Sequence, residues 1–165
     1  MIIRLENSTD APAIRSLVTA AFSDALRSQG NEAEIVDALR IGGVLTLSLV
    51  AEDEGKIVGY AAFSPVTVNA QEVCWFGLGP VAVLTEKRRC GVGAALIETG
   101  LKHLEKLGVR GCVVLGDPAY YRRFGFQSDP GLRFGTVSSE HFQRLIISGN
   151  PPHGEVDYHR AFSAS

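Results

Sequence analysis

The segment V81-A-V-L-T-E-K-R-R-C-G-V-G-A-A-L-I-E-T-G-L-K-H-L-E-K-L-G108 constrains this chain more than any other. It begins with a strand-like apolar run and passes a basic turn holding Gly91 and Gly93. It then settles into helical spacing. Val92, Leu96, Ile97, Gly100, Leu101, Leu104 and Leu107 recur as the inner arc of a helix, with Glu98, Lys102, Glu105 and Lys106 outside. Gly108 ends it. A strand, a glycine turn and a long helix in that order fix one corner of a layered domain.

The turn itself has a chemical reading. A helix N-terminus exposes unpaired N–H groups and the positive end of its macrodipole, which suits an anion. Gly91 and Gly93 let a phosphate approach the backbone, and Arg88 and Arg89 add charge. The plainer alternative is that both glycines serve tight strand–helix packing while the arginines are solvated. Two nucleotide readings fail. A Walker A loop needs Gly-Lys-Ser/Thr at its end, and Ala94-Ala95 stand there; a Rossmann fingerprint needs a third small residue where Leu96 falls.

The flanking sequence supplies the other elements. Ile2 to Leu5 suggests a short strand. Ile14, Leu17, Val18, Ala21 and Phe22 predict a helix to about residue 25, with Pro12 in its first turn. A second helix is expected over Asn31 to Leu39. Leu45 to Glu52 and Ile57 to Val68, joined by D53-E-G55, read as an antiparallel hairpin. Val73 to Leu84 is a further strand that Gly77, Gly79 and Pro80 interrupt, so a bulge or splay is expected there. C112-V-V-L115 is a short strand parallel to it if the intervening helix crosses over. Asp117 and Pro118 start a short helix ending at Gly125. Strand-like sequence continues intermittently from Phe126 to Ile147. The tail from Gly149, with Pro151, Pro152 and Gly154, is expected to be extended or loosely packed. The order describes an α+β fold, one mixed sheet flanked by helices with a splayed central strand pair, in a single domain over 1–165 (core 1–148, C-terminal extension 149–165).

Composition narrows the function classes. Sixteen basic against eighteen acidic side chains give a net charge of −2, without the basic excess of a nucleic-acid binder. No run approaches the roughly 18 apolar residues of a membrane span. Cys74, Cys90 and Cys112 show no paired spacing, so free thiols in a reducing, cytoplasmic setting are expected, with no zinc site.

V81-A-V-L-T-E-K-R-R-C-G-V-G93 resembles the acyl-CoA signature of the GNAT superfamily of N-acetyltransferases: a valine-ended strand, then Arg/Gln-x-x-Gly-x-Gly/Ala. Y121-R-R-F-G-F126 resembles the tyrosine-x-x-x-glycine-phenylalanine close of the same family, and the element order over residues 1–130 is similar. The resemblance implies acetyl-CoA as acyl donor. Backbone groups of Val81, Ala82 and Val83 would line the pantetheine arm. The amides of Arg89, Cys90, Gly91, Val92, Gly93 and Ala94 would cradle the diphosphate, with Arg88 nearby. It implies direct attack by an amine in a ternary complex, with Tyr121 giving a proton to the departing sulfur. It also allows a homodimer. Thr85 and Lys87 depart from the common pattern, Cys90 replaces a frequent basic residue, and the asparagine many relatives carry before the tyrosine has no counterpart.

The residues alone leave more open. Tyr121 also reads as a packing aromatic, with Tyr120 its solvent-exposed neighbour, though its spacing to Gly125-Phe126 favours the catalytic role. Arg122 and Arg123 could reach the coenzyme's ribose phosphate but read more simply as a solvated helix face. Glu72, Glu86 and Asp117 are candidate bases; none is assigned. The four histidines point nowhere in particular. A non-catalytic acyl-CoA-binding module and a nucleotide binder remain as alternatives, and the acceptor, a small-molecule or peptide amine, is not specified.

Overall fold

The computed structural model describes residues 1–23, 25 and 28–164. Nine strands form a sheet whose main path runs β1 (Ile2–Leu5), β2 (Leu47–Asp53), β3 (Lys56–Val68), β4 (Gln71–Val83), β5 (Gly111–Leu115), β8 (Phe142–Ile146) and β6 (Gln127–Ser128). Short β7 (Leu132–Arg133) pairs with β9 (Gly154–Tyr158), and β9 pairs with the far end of β3. Among the described residues only β4–β5 and β7–β9 are parallel, and the other pairings are antiparallel. The β4–β5 parallel pairing follows from the crossover through α3 (Val92–Lys106), as expected from the sequence.

The helices pack on opposite faces. α3 lies on the face formed by Leu49, Ala51, Ala61, Phe63, Leu78 and Val114. Its approach is close. A Cβ on Gly59 would sit 2.6 Å from Val92, and one on Gly100 would sit 2.3 Å from the Phe63 ring. Small residues at those two points let helix and sheet interlock, which fixes where the N-terminus of α3 points. On the other face α1 (Ala11–Phe22) and α2 (Glu32–Ile41) cover Val50, Tyr60, Ala62 and Ala82. Full burial of an apolar side chain contributes about 1.5–3 kcal/mol, so each helix is held mainly by its inner stripe.

Three expectations need correction. Leu107 is 62% exposed, because α3 has already ended at Lys106 and Leu107 is its C-cap. The helix expected to reach about residue 25 stops at Phe22, with residues 24, 26 and 27 outside the described ones. The tail is not loose. Val156 of β9 is fully buried beside Val66, Trp75 and Phe142, and the 3-10 turn Arg160–Ser163 packs Ala161 against Ile35 and Leu39 of α2. Prolines and glycines at 149–154 only postpone the strand; alternation resumes once β3 offers an edge to pair with.

Candidate active site

Strand β4 changes character midway. Trp75 to Leu78 pairs with β3 on one side and with Gly111 to Val114 of β5 on the other. The β3 register then shifts between Ala61 and Phe63, and β5 pairs no further along β4 than Leu78. Ladder alternation settles where the free groups point. The Leu84 N–H donates to the Val58 carbonyl at 3.0 Å, so Tyr60 with Ala82 is the next hydrogen-bonded pair, and Val81 and Val83 turn their backbone groups away from β3. Those groups look into the gap that β5 leaves. The splay read from Gly77, Gly79 and Pro80 is therefore present.

Past β4, a 3-10 turn (Thr85–Lys87) leads to the start of α3. Gly91 is the N-cap, at φ +83°, a left-handed conformation that glycine adopts without steric cost. The N-cap makes no side-chain cap, so among the described residues the first amides of α3 stay available as donors. Arg89 is also left-handed, at φ +64°. The turn is tied down at two points: the Lys87 Nζ lies 3.1 Å from Asp53, and the Arg88 Nη2 donates to the Ala21 carbonyl at 2.8 Å. The second contact places a cation at the carbonyl end of α1, where the helix dipole favours it.

The opposite wall comes from α4 (Pro118–Tyr121), which follows β5 directly. Asp117 caps it, accepting from the Ala119 N–H at 2.9 Å, which gives that carboxylate a structural role. The Tyr120 and Tyr121 rings meet edge to face with centroids 5.1 Å apart, and Tyr121 packs on Phe126 at 5.8 Å. The Tyr121 ring lies over Gly116, where a Cβ would fall 2.4 Å from it. Burial, with smaller effects from Tyr120 and Cys112, pushes the Tyr121 phenol up to about 12. At neutral pH it is therefore protonated, as a proton donor must be.

These elements enclose a cavity of about 730 Å³. Val81, Ala82, Val83, Arg88, Arg89, Gly91, Val92, Gly93, Ala94 and Tyr121, all singled out from the sequence, line it. Cys90 does not; its side chain is exposed and turned back to the Arg88 carbonyl at 3.6 Å. Ala21, Phe22, Ala25, Lys87, Tyr120 and Arg123 line it as well. One of these corrects the sequence reading: Tyr120 is half-buried on the cavity wall rather than solvent-exposed. Arg123 is exposed as expected yet lines the cavity, where Arg122 does not. Ala21, Phe22 and Ala25 carry no chemical signature, and only the docking of α1 brings them here.

Among the described residues the lining is electrically one-sided. Lys87, Arg88, Arg89 and Arg123 are there, and no carboxylate lines the cavity among the described residues. Glu72 and Glu86 are exposed and outside it. On a chain of net charge −2 this local excess of cations is a feature of the site, suited to a polyanion. Amide donors, arginines and a free strand edge lead in sequence to one partly buried phenol. Such a site can grip phosphates at one end and hold an extended chain along β4 with its tip at Tyr121.

Comparison with known proteins agrees with this geometry. Residues 46–128 match the family model described as an acetyltransferase (GNAT) domain. The chain is 42% identical to the uncharacterized N-acetyltransferase YhbS of Escherichia coli K12, with 99% of both chains covered. Among solved structures it is similar to a GNAT family acetyltransferase from Brucella melitensis in complex with acetyl-CoA: 46% identity, TM-score 0.89, 98% of this chain and 97% of that one covered. It is also similar to E. coli YhbS in complex with CoA, at 38% identity and TM-score 0.89, covering 98% of this chain and 91% of that one. The splayed strand pair, the glycine turn and the tyrosine helix thus stand in a shared framework, and the chain belongs to the GNAT family of acetyltransferases.

Proposed function

We propose that the protein transfers an acetyl or other short acyl group from its coenzyme A thioester to an amine by direct attack in a ternary complex. The observation that carries this reading is the convergence of three features in one cation-lined cavity: the free edge of β4, the uncapped amides of α3 and the Tyr121 phenol. The amides of Arg89 to Ala94 hold the diphosphate, with Arg88 anchoring the turn to α1. Val81, Ala82 and Val83 run beside the pantetheine arm, two of them offering backbone groups to its amides. The neutral amine nitrogen bonds to the thioester carbonyl carbon, and a main-chain N–H near Val83 receives the developing oxyanion. The C–S bond then breaks, the sulfur takes the Tyr121 proton, the amine's surplus proton leaves to water, and Tyr121 regains a proton from water. Free thiols at Cys74, Cys90 and Cys112 suit a reducing compartment, and we place the reaction in the cytoplasm.

A thiol-release assay with acetyl-CoA over polyamines, aminoglycosides, amino acids and peptide N-termini tests the reading. The expected result is amine-dependent release of free CoA, competed by CoA and not by ATP. Tight CoA binding without turnover on any amine would favour a binding module, and preference for ATP would reverse the reading.

A further inference from the structure

The Tyr120 hydroxyl is in an unexpected place. It stands 3.0 Å from the point a Cβ would occupy on Gly93, in the first turn of α3. No hydrogen bond to a described residue engages it. The ring is held on several sides: by Tyr121 edge-on at 5.1 Å, by Phe124 at 5.4 Å, and by the Arg123 guanidinium 4.5 Å from its centroid. Arg123 is fixed in turn by its Nε, which donates to the Tyr120 carbonyl at 3.1 Å. Of the four cations that line the cavity among the described residues, Lys87 is committed to Asp53 and Arg88 to the Ala21 carbonyl. Among the described residues Arg89 and Arg123 have no acidic partner, and they stand on opposite walls.

We propose that Tyr120 and Arg123 form a second wall of the diphosphate site, closing on the coenzyme from α4 and the 3-10 turn Arg122–Phe124 after it, opposite the amides of α3. The Tyr120 hydroxyl donates to a phosphate oxygen, while Arg123, kept in place by the aromatic face, supplies charge the amides lack. A phenylalanine would pack equally well against Tyr121 and Phe124. What the tyrosine adds is a donor aimed at the turn. Gly93 is then required for space: a side chain there would meet the phenol and narrow the channel between the two walls. The inference rests on the coenzyme reading above and gives α4 two tasks, anion binding at Tyr120 and proton donation at Tyr121.

Calorimetric titration of the parent protein, Tyr120→Phe and Arg123→Gln with three probes tests it: CoA, dephospho-CoA lacking the ribose 3′-phosphate, and pantetheine lacking every phosphate. Tyr120→Phe is expected to weaken CoA and dephospho-CoA alike by about tenfold and leave pantetheine unchanged, with Arg123→Gln weakening both by a few-fold. Loss with CoA alone would move the contact to the ribose phosphate and overturn the assignment. Equal loss with pantetheine would reduce Tyr120 to packing, and unchanged affinities in both variants would also overturn it. Arg123 is exposed, so its variant reports even if Tyr120→Phe folds poorly. A parent that binds none of the three probes removes the coenzyme reading itself, whereas a parent that binds CoA isolates the failure to Tyr120 and Arg123.

Discussion

The two halves of β4 are both apolar and are paired differently. From Trp75 to Leu78 the strand is paired on both edges, with Trp75 filling the space beside Gly111 of β5. From Val81 to Val83 it is paired on one edge only, and the other faces a cavity. A fully paired strand has no donors or acceptors left for a ligand; a half-paired one keeps a row of them. The glycines differ correspondingly. In the closed half Gly111 makes room for a protein ring, while beside the open half Gly93 leaves space next to Tyr120.

The sharpest way to break this comparison is at Tyr121. Tyr121→Phe is expected to lower kcat by about a hundredfold or more while CoA affinity stays within twofold, read by steady-state kinetics and calorimetry. Retained turnover would leave the open half with a binding role only. Alanine at each glycine then separates the halves. In Gly111→Ala the new Cβ would lie 2.3 Å from the Trp75 ring, and urea denaturation is expected to show a loss of about 1–3 kcal/mol. In Gly93→Ala the new Cβ would meet only the Tyr120 hydroxyl, at 3.0 Å, a milder clash than at Gly111, so the stability loss is expected to be the smaller of the two, about 1 kcal/mol or less, while CoA affinity falls.

A smaller effect concerns pH. Burial raises the Tyr121 phenol to about 12, above the ordinary tyrosine value of about 10. The folded chain therefore holds this proton where the unfolded chain releases it. The associated stability is complete below about pH 10 and is lost as pH rises toward 12. Urea midpoints measured across that window should fall less steeply in Tyr121→Phe than in the parent. The smallest expected effect is at Cys90, whose side chain points away from the cavity: Cys90→Ser should leave CoA affinity and stability within experimental error.

How much of this was legible in the linear chain depended on how local the physics is. Arg88, Gly91 and Gly93 lie within six residues, and their meaning comes from a helix start and left-handed backbone, both nearest-neighbour properties. Asp117 and Pro118 announced α4 for the same reason. Tyr120 was misjudged because exposure is not a local property: the same residue on an unsupported helix would be solvated, and only α3 across the gap turns its hydroxyl inward. The tail was misjudged because Pro151, Pro152 and Gly154 describe local stiffness and turning, whereas β9 exists because β3 offers an edge.

The sequence by itself determined the elements and their order as far as α4, and the glycine-bearing, arginine-rich turn at Arg88 to Ala94, since spacing, capping and backbone preference act over a few residues. The tertiary structure alone decided where β5 stops pairing with β4, that α1 meets the turn through Arg88 and Ala21, and that two adjacent tyrosines face the cavity. Those outcomes depend on side chains and strand edges far apart along the chain, and only packing brings them within reach of one another.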